Sequence, residues 1–182
     1  MKKIFLVFAF TSLLFSNPYD EIKSLLGGLY KSFTANFTIS GSSGNLMSGK
    51  IYYQYPGKLH VKTSDGGVIA TNGRYLWIYN PASGRCMKQD VGGTGGGILG
   101  ILKSYDGKRS GDSFIFRNPN KKITEIGIRV SKGMIRSVRF QTEDSSYTVS
   151  FSNVQFSGGI RASLFNYKPP ASAQVIENPL NK

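Results

Sequence analysis

The chain has 182 residues, with 23 Lys and Arg against 10 Asp and Glu, one His and one Cys. That length suits one domain with a sizeable core, a single Cys excludes an intrachain disulfide, and one His beside one Cys leaves no cluster for a structural metal. The ten acids are spread among turns and the first helical segment, with no pair at a spacing that calls for general acid/base work, so the expectation is a binding protein and not an enzyme, with no cofactor.

Positions 1–16 read as a cleaved signal peptide. Lys2 and Lys3 precede an apolar run from Ile4 to Phe15, Ser12 and Ser16 are small residues near a cut, and the run is short for a span of about 20 residues. An uncleaved membrane anchor is the alternative. No Cys follows the run, since the one Cys is Cys86, so no lipid-modified N-terminus is expected. The mature domain is then 17–182, soluble and exported. Removing Lys2 and Lys3, with no acid among those positions, takes the net charge from +13 to +11. Such a balance suits an anionic partner, whether phospholipid, lipopolysaccharide or nucleic acid, or serves solubility alone.

Asn17 is placed to cap a helix with Pro18 at its first position and Asp20 in its first turn. Ile22, Leu25, Leu26, Leu29 and Phe33 recur at helical spacing, which predicts a helix from about Pro18 to Ser32 lying across a sheet. Gly27-Gly28 would weaken it and implies close approach to a neighbour. From Thr34 to Ser40, Ala35, Phe37 and Ile39 alternate with polar residues, the pattern of a half-buried strand.

The stretch from Ser48 to Pro81 reads as an antiparallel meander, punctuated by Pro56-Gly57, Asp65-Gly66 and Asn72-Gly73. Side chains change face at every residue, so Ile51, Tyr53 and Tyr55 share one side and Leu59 and Val61 continue it. Tyr75 to Tyr79 is apolar on both faces: Leu76 and Ile78 on one, Tyr75, Trp77 and Tyr79 on the other. That strand must be covered twice. Further runs occur near Cys86–Gln89, Ser113–Arg117, Ile123–Val130, Met134–Thr142, Tyr147–Phe156 and Ala162–Tyr167. A change of parity between Phe151 and Val154 places a bulge near Ser152 and Asn153. The result is a mainly β protein of about eleven strands, with an incomplete antiparallel β-barrel as the economical solution.

Between Val91 and Tyr105 a glycine run breaks the strand pattern, and Ile98, Leu99, Ile101 and Leu102 line one side of a short helix. Gly95, Gly97 and Gly100 also fit G-x-G-x-x-G. No parallel strand-helix-strand unit surrounds them, so dinucleotide binding is rejected.

The order Gly49, Ile51, Tyr53, Pro56-Gly57-Lys58-Leu59, Ile69, Asn72-Gly73 and Leu76-Trp77-Ile78-Tyr79-Asn80-Pro81 resembles the LolA family of periplasmic lipoprotein carriers. The resemblance recurs at Leu164, Phe165, Tyr167, Pro169-Pro170 and Val175. It implies an incomplete barrel with an N-terminal helix and a helical lid over its mouth at Gly97, Ile98, Leu99, Ile101 and Leu102. It also implies a cavity that receives the acyl chains of lipoproteins from an inner-membrane lipoprotein-releasing ATP-driven complex and surrenders them to an outer-membrane acceptor or the membrane surface. A monomer is expected, with no nucleic-acid partner.

With 12 Phe, 10 Tyr and one Trp, aromatics are numerous enough to line such a cavity. Parity nominates Ile51, Tyr53, Tyr55, Leu59 and Val61, then Phe37 and Ile39; Leu76 and Ile78 compete with Trp77 for the inside. His60, on the polar face, reads as a solvated residue. One departure stands out. Where better-known members carry an Arg before the motif's Pro, which latches the lid, this chain has Tyr55, so apolar contact of the lid with Tyr53 and Tyr55 is expected to replace the latch. The rival function is an envelope sensor or lipid- or lipopolysaccharide-binding domain of the same fold; single-stranded nucleic-acid binding through basic strands with interleaved aromatics is opposed by the expected export.

Overall fold

The computed structural model describes residues 17–91, 97–156 and 159–178. The expected signal peptide at 1–16 and most of the glycine run, 92–96, lie outside the described residues.

Helix α1 spans Pro18–Gly27, with the Asn17 side chain accepting the Tyr19 N–H at 3.0 Å. It ends five residues before the expected Ser32. At Gly28 the backbone N–H closes back on the Ser24 carbonyl at 2.8 Å, and two successive glycines favour termination over continuation. Phe33, counted in the helical stripe, therefore belongs to the first strand, and Leu29 is exposed.

Among the described residues twelve strands form one open sheet. They are β1 (Ser32–Gly41), β2 (Gly44–Gln54), β3 (Lys58–Thr63), β4 (Val68–Thr71), β5 (Tyr75–Asn80), β6 (Arg85–Asp90), β7 (Asp106–Ser110), β8 (Ser113–Arg117), β9 (Glu125–Ser131), β10 (Met134–Gln141), β11 (Ser146–Phe156) and β12 (Gln174–Glu177). Their order is β12-β6-β5-β4-β3-β2-β1-β11-β10-β9-β8-β7. Every pairing is antiparallel except β12 on β6. Two meanders thus meet at the centre, where β1 pairs with β2 on one side and β11 on the other.

The expected strand at Ala162–Tyr167 is instead a short 3₁₀ turn, Ala162–Phe165, with Phe165 fully buried. Both edges of β11 are already taken by β1 and β10, so the chain leaving it has no free edge there and crosses the outside of the sheet. Strand β7 has no alternation at all, DGKRS being exposed throughout, and is held by pairing with β8. Gly107 in it admits α1 closely: a Cβ there would meet Phe116 at 2.9 Å and Pro18 at 3.3 Å. Arg109 seals that approach with an ion pair to Glu21 at 2.6 Å. The β11 bulge lies where the change of parity puts it, opposite Thr34/Asn36, with Asn153 at φ 51°.

Alternation makes two apolar layers. On the concave side Ile22 and Leu26 of α1 pack with Tyr30, Phe33, Ala35, Tyr53, Phe114, Phe116, Ile126, Ile128 and Ile135. On the convex side Val68, Ala70, Trp77 and Cys86 form a second cluster, covered by Tyr167 and Ala173 of the C-terminal crossing. This is the double cover that the strand at Tyr75–Tyr79 requires.

Candidate functional site

The concave side is not filled. Between α1 and the sheet lies a cavity of about 520 Å³, within the usual range of ligand pockets, about 300–1,000 Å³. Ile22 and Leu26 form its roof on α1, and Tyr30 and Phe33 close the end where the helix joins β1. One wall is Ile51 and Tyr53 of β2, Leu59 of β3 and Ile69 and Thr71 of β4, with Pro56 and Gly57 in the turn between β2 and β3. The facing wall is Ile128 of β9, Ile135, Val138 and Phe140 of β10, and Val149, Phe151 and Val154 of β11.

Register explains these walls. Phe33 pairs with Tyr53, Tyr53 with Leu59 and Leu59 with Thr71, while Ile51, Val61 and Ile69 form the next row along. Val138 pairs with both Ile128 and Val149, and Phe140 sits beside them. Strands at opposite ends of this run share one space only because the sheet curls, as right-handed twist makes a wide antiparallel sheet do.

No lining side chain is charged. The polar atoms are phenols and one hydroxyl. The Tyr30 oxygen accepts the Ile135 backbone N–H at 2.7 Å, and its ring meets Phe33 edge-on at 5.1 Å. Burial and the neighbouring Tyr55 push the Tyr53 phenol up to about 12, so it stays neutral over any physiological range. A neutral phenol can give a hydrogen bond to an ester or amide carbonyl without placing an ion in an apolar space.

Among the residues singled out from sequence, Ile51, Tyr53 and Leu59 line the cavity. Tyr55 packs against the same apolar cluster outside the lining, its ring 3.8 Å from where a Cβ on Gly27 would stand, and so lies under the end of α1. Phe37 is buried and Ile39 half-buried further along β1, and Val61 and Leu76 are half-buried beside the lining rows. Ile78 is 37% exposed. Trp77 lies on the convex face against Val68, Ala70 and Cys86, because Leu76 stands in the concave row with Thr71 and covalent alternation sends its successor outward.

The short helix α2 spans Gly97–Leu102. Leu99 and Leu102 are buried in the concave cluster and Ile101 is exposed, while the side chain of Ile98 is outside the described set. None of its described side chains lines the cavity; α1 takes that place. His60, expected in solvent, is buried under the C-terminal crossing between Tyr52 and Tyr167, and burial lowers its pKa below the ordinary value. The β9–β11 half of the lining was not picked out in the sequence, although its alternation was present, because nothing local says that β11 returns to pair with β1. Among the described residues no group of three or more His, Cys, Asp or Glu side chains could hold a metal ion.

An open, curled β-sheet that encloses an uncharged apolar cavity beneath an N-terminal helix defines the architecture as an incomplete barrel. No family model matches the chain. It is 25% identical to an outer-membrane lipoprotein carrier protein of Klebsiella pneumoniae over 183 aligned positions, 90% of each chain. An uncharacterized conserved protein of Thermus thermophilus superposes with a TM-score of 0.58 at 13% identity, over 87% of this chain and 97% of that one. A LolA superfamily protein of Nitrosomonas europaea superposes with a TM-score of 0.43 at 11% identity, over 79% and 96%. The chain is LolA-like.

Proposed function

We propose that this protein is a periplasmic carrier that shields the acyl chains of lipoproteins in its concave cavity while they travel from the inner to the outer membrane. The observation that carries the reading is the uncharged lining of the cavity of about 520 Å³, a space for hydrocarbon that none of the described residues fills. Each methylene enclosed is worth about 0.8 kcal/mol, so a sixteen-carbon chain gains on the order of 12 kcal/mol if fully buried. A ligand held that way does not leave through water. It is handed from one apolar environment to another, which is the physics of a carrier and requires no covalent chemistry.

The sequence relationship to a lipoprotein carrier supports the cargo. Tyr30 and Tyr53 suit a chain bearing an ester or amide near its head, since each has an apolar ring and a neutral polar tip. In this reading the chain enters by exchange with an inner-membrane ATP-driven complex and leaves at an outer-membrane acceptor or surface. Mass spectrometry of the protein isolated from its own periplasm is the test. Co-purifying acylated lipoprotein is expected; uniform recovery of the empty chain, or of a water-soluble ligand, would overturn the reading.

A further inference from the structure

We propose that the tip of the β1–β2 hairpin is a membrane-penetrating rim, carrying Leu46, Met47 and Tyr147 into the surface of a phospholipid bilayer. The inference deepens the carrier reading and rests on it for what crosses the rim.

The tip projects past its neighbour. Strand β2 pairs with β3 from Gly49 inward, and the last link to that side is the Ser48 carbonyl accepting the Ser64 N–H at 2.9 Å, so Gly44–Met47 stands beyond this neighbour and every residue in it is exposed. Polar side chains would be expected there, yet Leu46 is 54% exposed, Met47 38% and Tyr147, at the adjoining start of β11, 39%. They form one patch. A Cβ on Gly41 would meet Leu46 Cδ1 at 3.1 Å and Tyr147 Cδ1 at 3.6 Å, so the two side chains converge over that glycine. A register shift, with Ile39 opposite Met47 but Ser40 opposite Asn45, leaves Leu46 as the extra residue of a bulge and sets it beside Met47.

The patch runs into the cavity. Met47 pairs with Ile39, Ile39 with Val149 and Val149 with Val138, while Tyr147 pairs with Phe140; the last residue of each row is part of the cavity wall. An acyl chain sliding out along these rows meets carbon the whole way. An apolar surface continuous with a lipid cavity and left open to solvent marks an interaction site.

Charge selects the bilayer as occupant. No charged residue occurs from Ser40 to Ser48, so seating the tip desolvates no ion. The nearest cations flank the patch: Lys50, paired across the strand with Lys62, two positions behind Ser48, and Arg139, which pairs with Thr148 beside Tyr147 and donates to the Ser146 hydroxyl at 2.9 Å, both placed to meet lipid phosphates. Asp65, Glu143 and Asp144 in the neighbouring turns, and the backbone groups of β2 that no β3 residue pairs, limit the depth to the headgroup boundary, about 5–10 Å.

The test uses the purified chain, vesicles of phosphatidylethanolamine and phosphatidylglycerol, and a fluorescent fatty acid, with three readouts: probe binding without vesicles, co-flotation with vesicles, and probe transfer to them. L46S/M47S is expected to bind the probe as the parent does, while co-flotation and transfer fall about tenfold. L46W, which keeps an apolar tip, is expected to co-float and to shift its emission to the blue when vesicles are added, against a constant signal from buried Trp77. Unchanged transfer by L46S/M47S, an L46W emission indifferent to vesicles, or a tip-dependent dimer in place of vesicle binding would each overturn the proposal. Tip-dependent co-flotation by a chain that binds no probe would support the rim and remove the carrier reading.

Discussion

The Tyr30 phenol oxygen takes the backbone N–H of Ile135, 105 positions away in the chain, at 2.7 Å. This bond ties the turn after α1 to the first residues of β10 and closes one end of the cavity where the two meanders face each other. Tyr30→Phe removes the acceptor and leaves a buried N–H without a partner, which costs about 1–3 kcal/mol. Urea unfolding is expected to show that loss, and amide exchange at Ile135 is expected to accelerate with it.

Val138 lies midway along the β9–β11 wall, paired with Ile128 and Val149. Val138→Trp places an indole in open space rather than in a packed core, so it avoids most of the usual overpacking cost of about 1–3 kcal/mol. Binding of a fluorescent fatty acid is expected to weaken about tenfold or more, since the indole takes volume that several methylenes would use. Unimpaired binding would place the lipid elsewhere.

The Tyr53 phenol titrates at about 12 in the folded chain, against 10.0 ordinarily, with burial as the leading cause. A group whose folded pKa is raised holds its proton more tightly when folded, so its contribution is whole below pH 10 and is lost as pH climbs from 10 toward 12. That difference corresponds to about 2–3 kcal/mol. Tyr53→Phe is therefore expected to lose less stability than the parent between pH 9 and pH 12, measured by thermal unfolding at each pH.

At Gly49 β2 lies close against the backbone of β3. A Cβ there would stand 2.1 Å from the Lys62 carbonyl oxygen, a backbone atom that cannot swing aside. Gly49→Ala is expected to cost at least about 3 kcal/mol and to loosen the wall that carries Ile51 and Leu59. Gly127→Ala, whose methyl meets nothing nearer than Arg139 Cβ at 3.7 Å, is expected to change stability by less than about 1 kcal/mol.

Several elements were legible because their causes are local. The Asn17 cap, the hairpin turns and the face shared by Ile51, Tyr53 and Leu59 follow from covalent alternation and from short-range hydrogen bonding. The end of α1 was harder to place, since Leu29 and Phe33 continue the helical spacing while Gly27 and Gly28 oppose it, and the backbone preference of the glycines prevails. Trp77 was ambiguous for a related reason: both faces of β5 are apolar, and only the row containing Thr71 and Leu76 shows which one is concave.

The order of residues alone determined a mainly β chain with an N-terminal helix, a short second helix at Gly97–Leu102 and a succession of short antiparallel strands, because periodicity and turn chemistry act over a few residues. The return of β11 to β1, the crossing of Ala162–Phe165 over the convex face, the burial of His60 and the cavity itself were decided only in three dimensions. An enclosed void belongs to no segment. It exists because a twisted sheet bends two distant walls toward each other and a helix spans the gap between them, and no window of sequence contains all three.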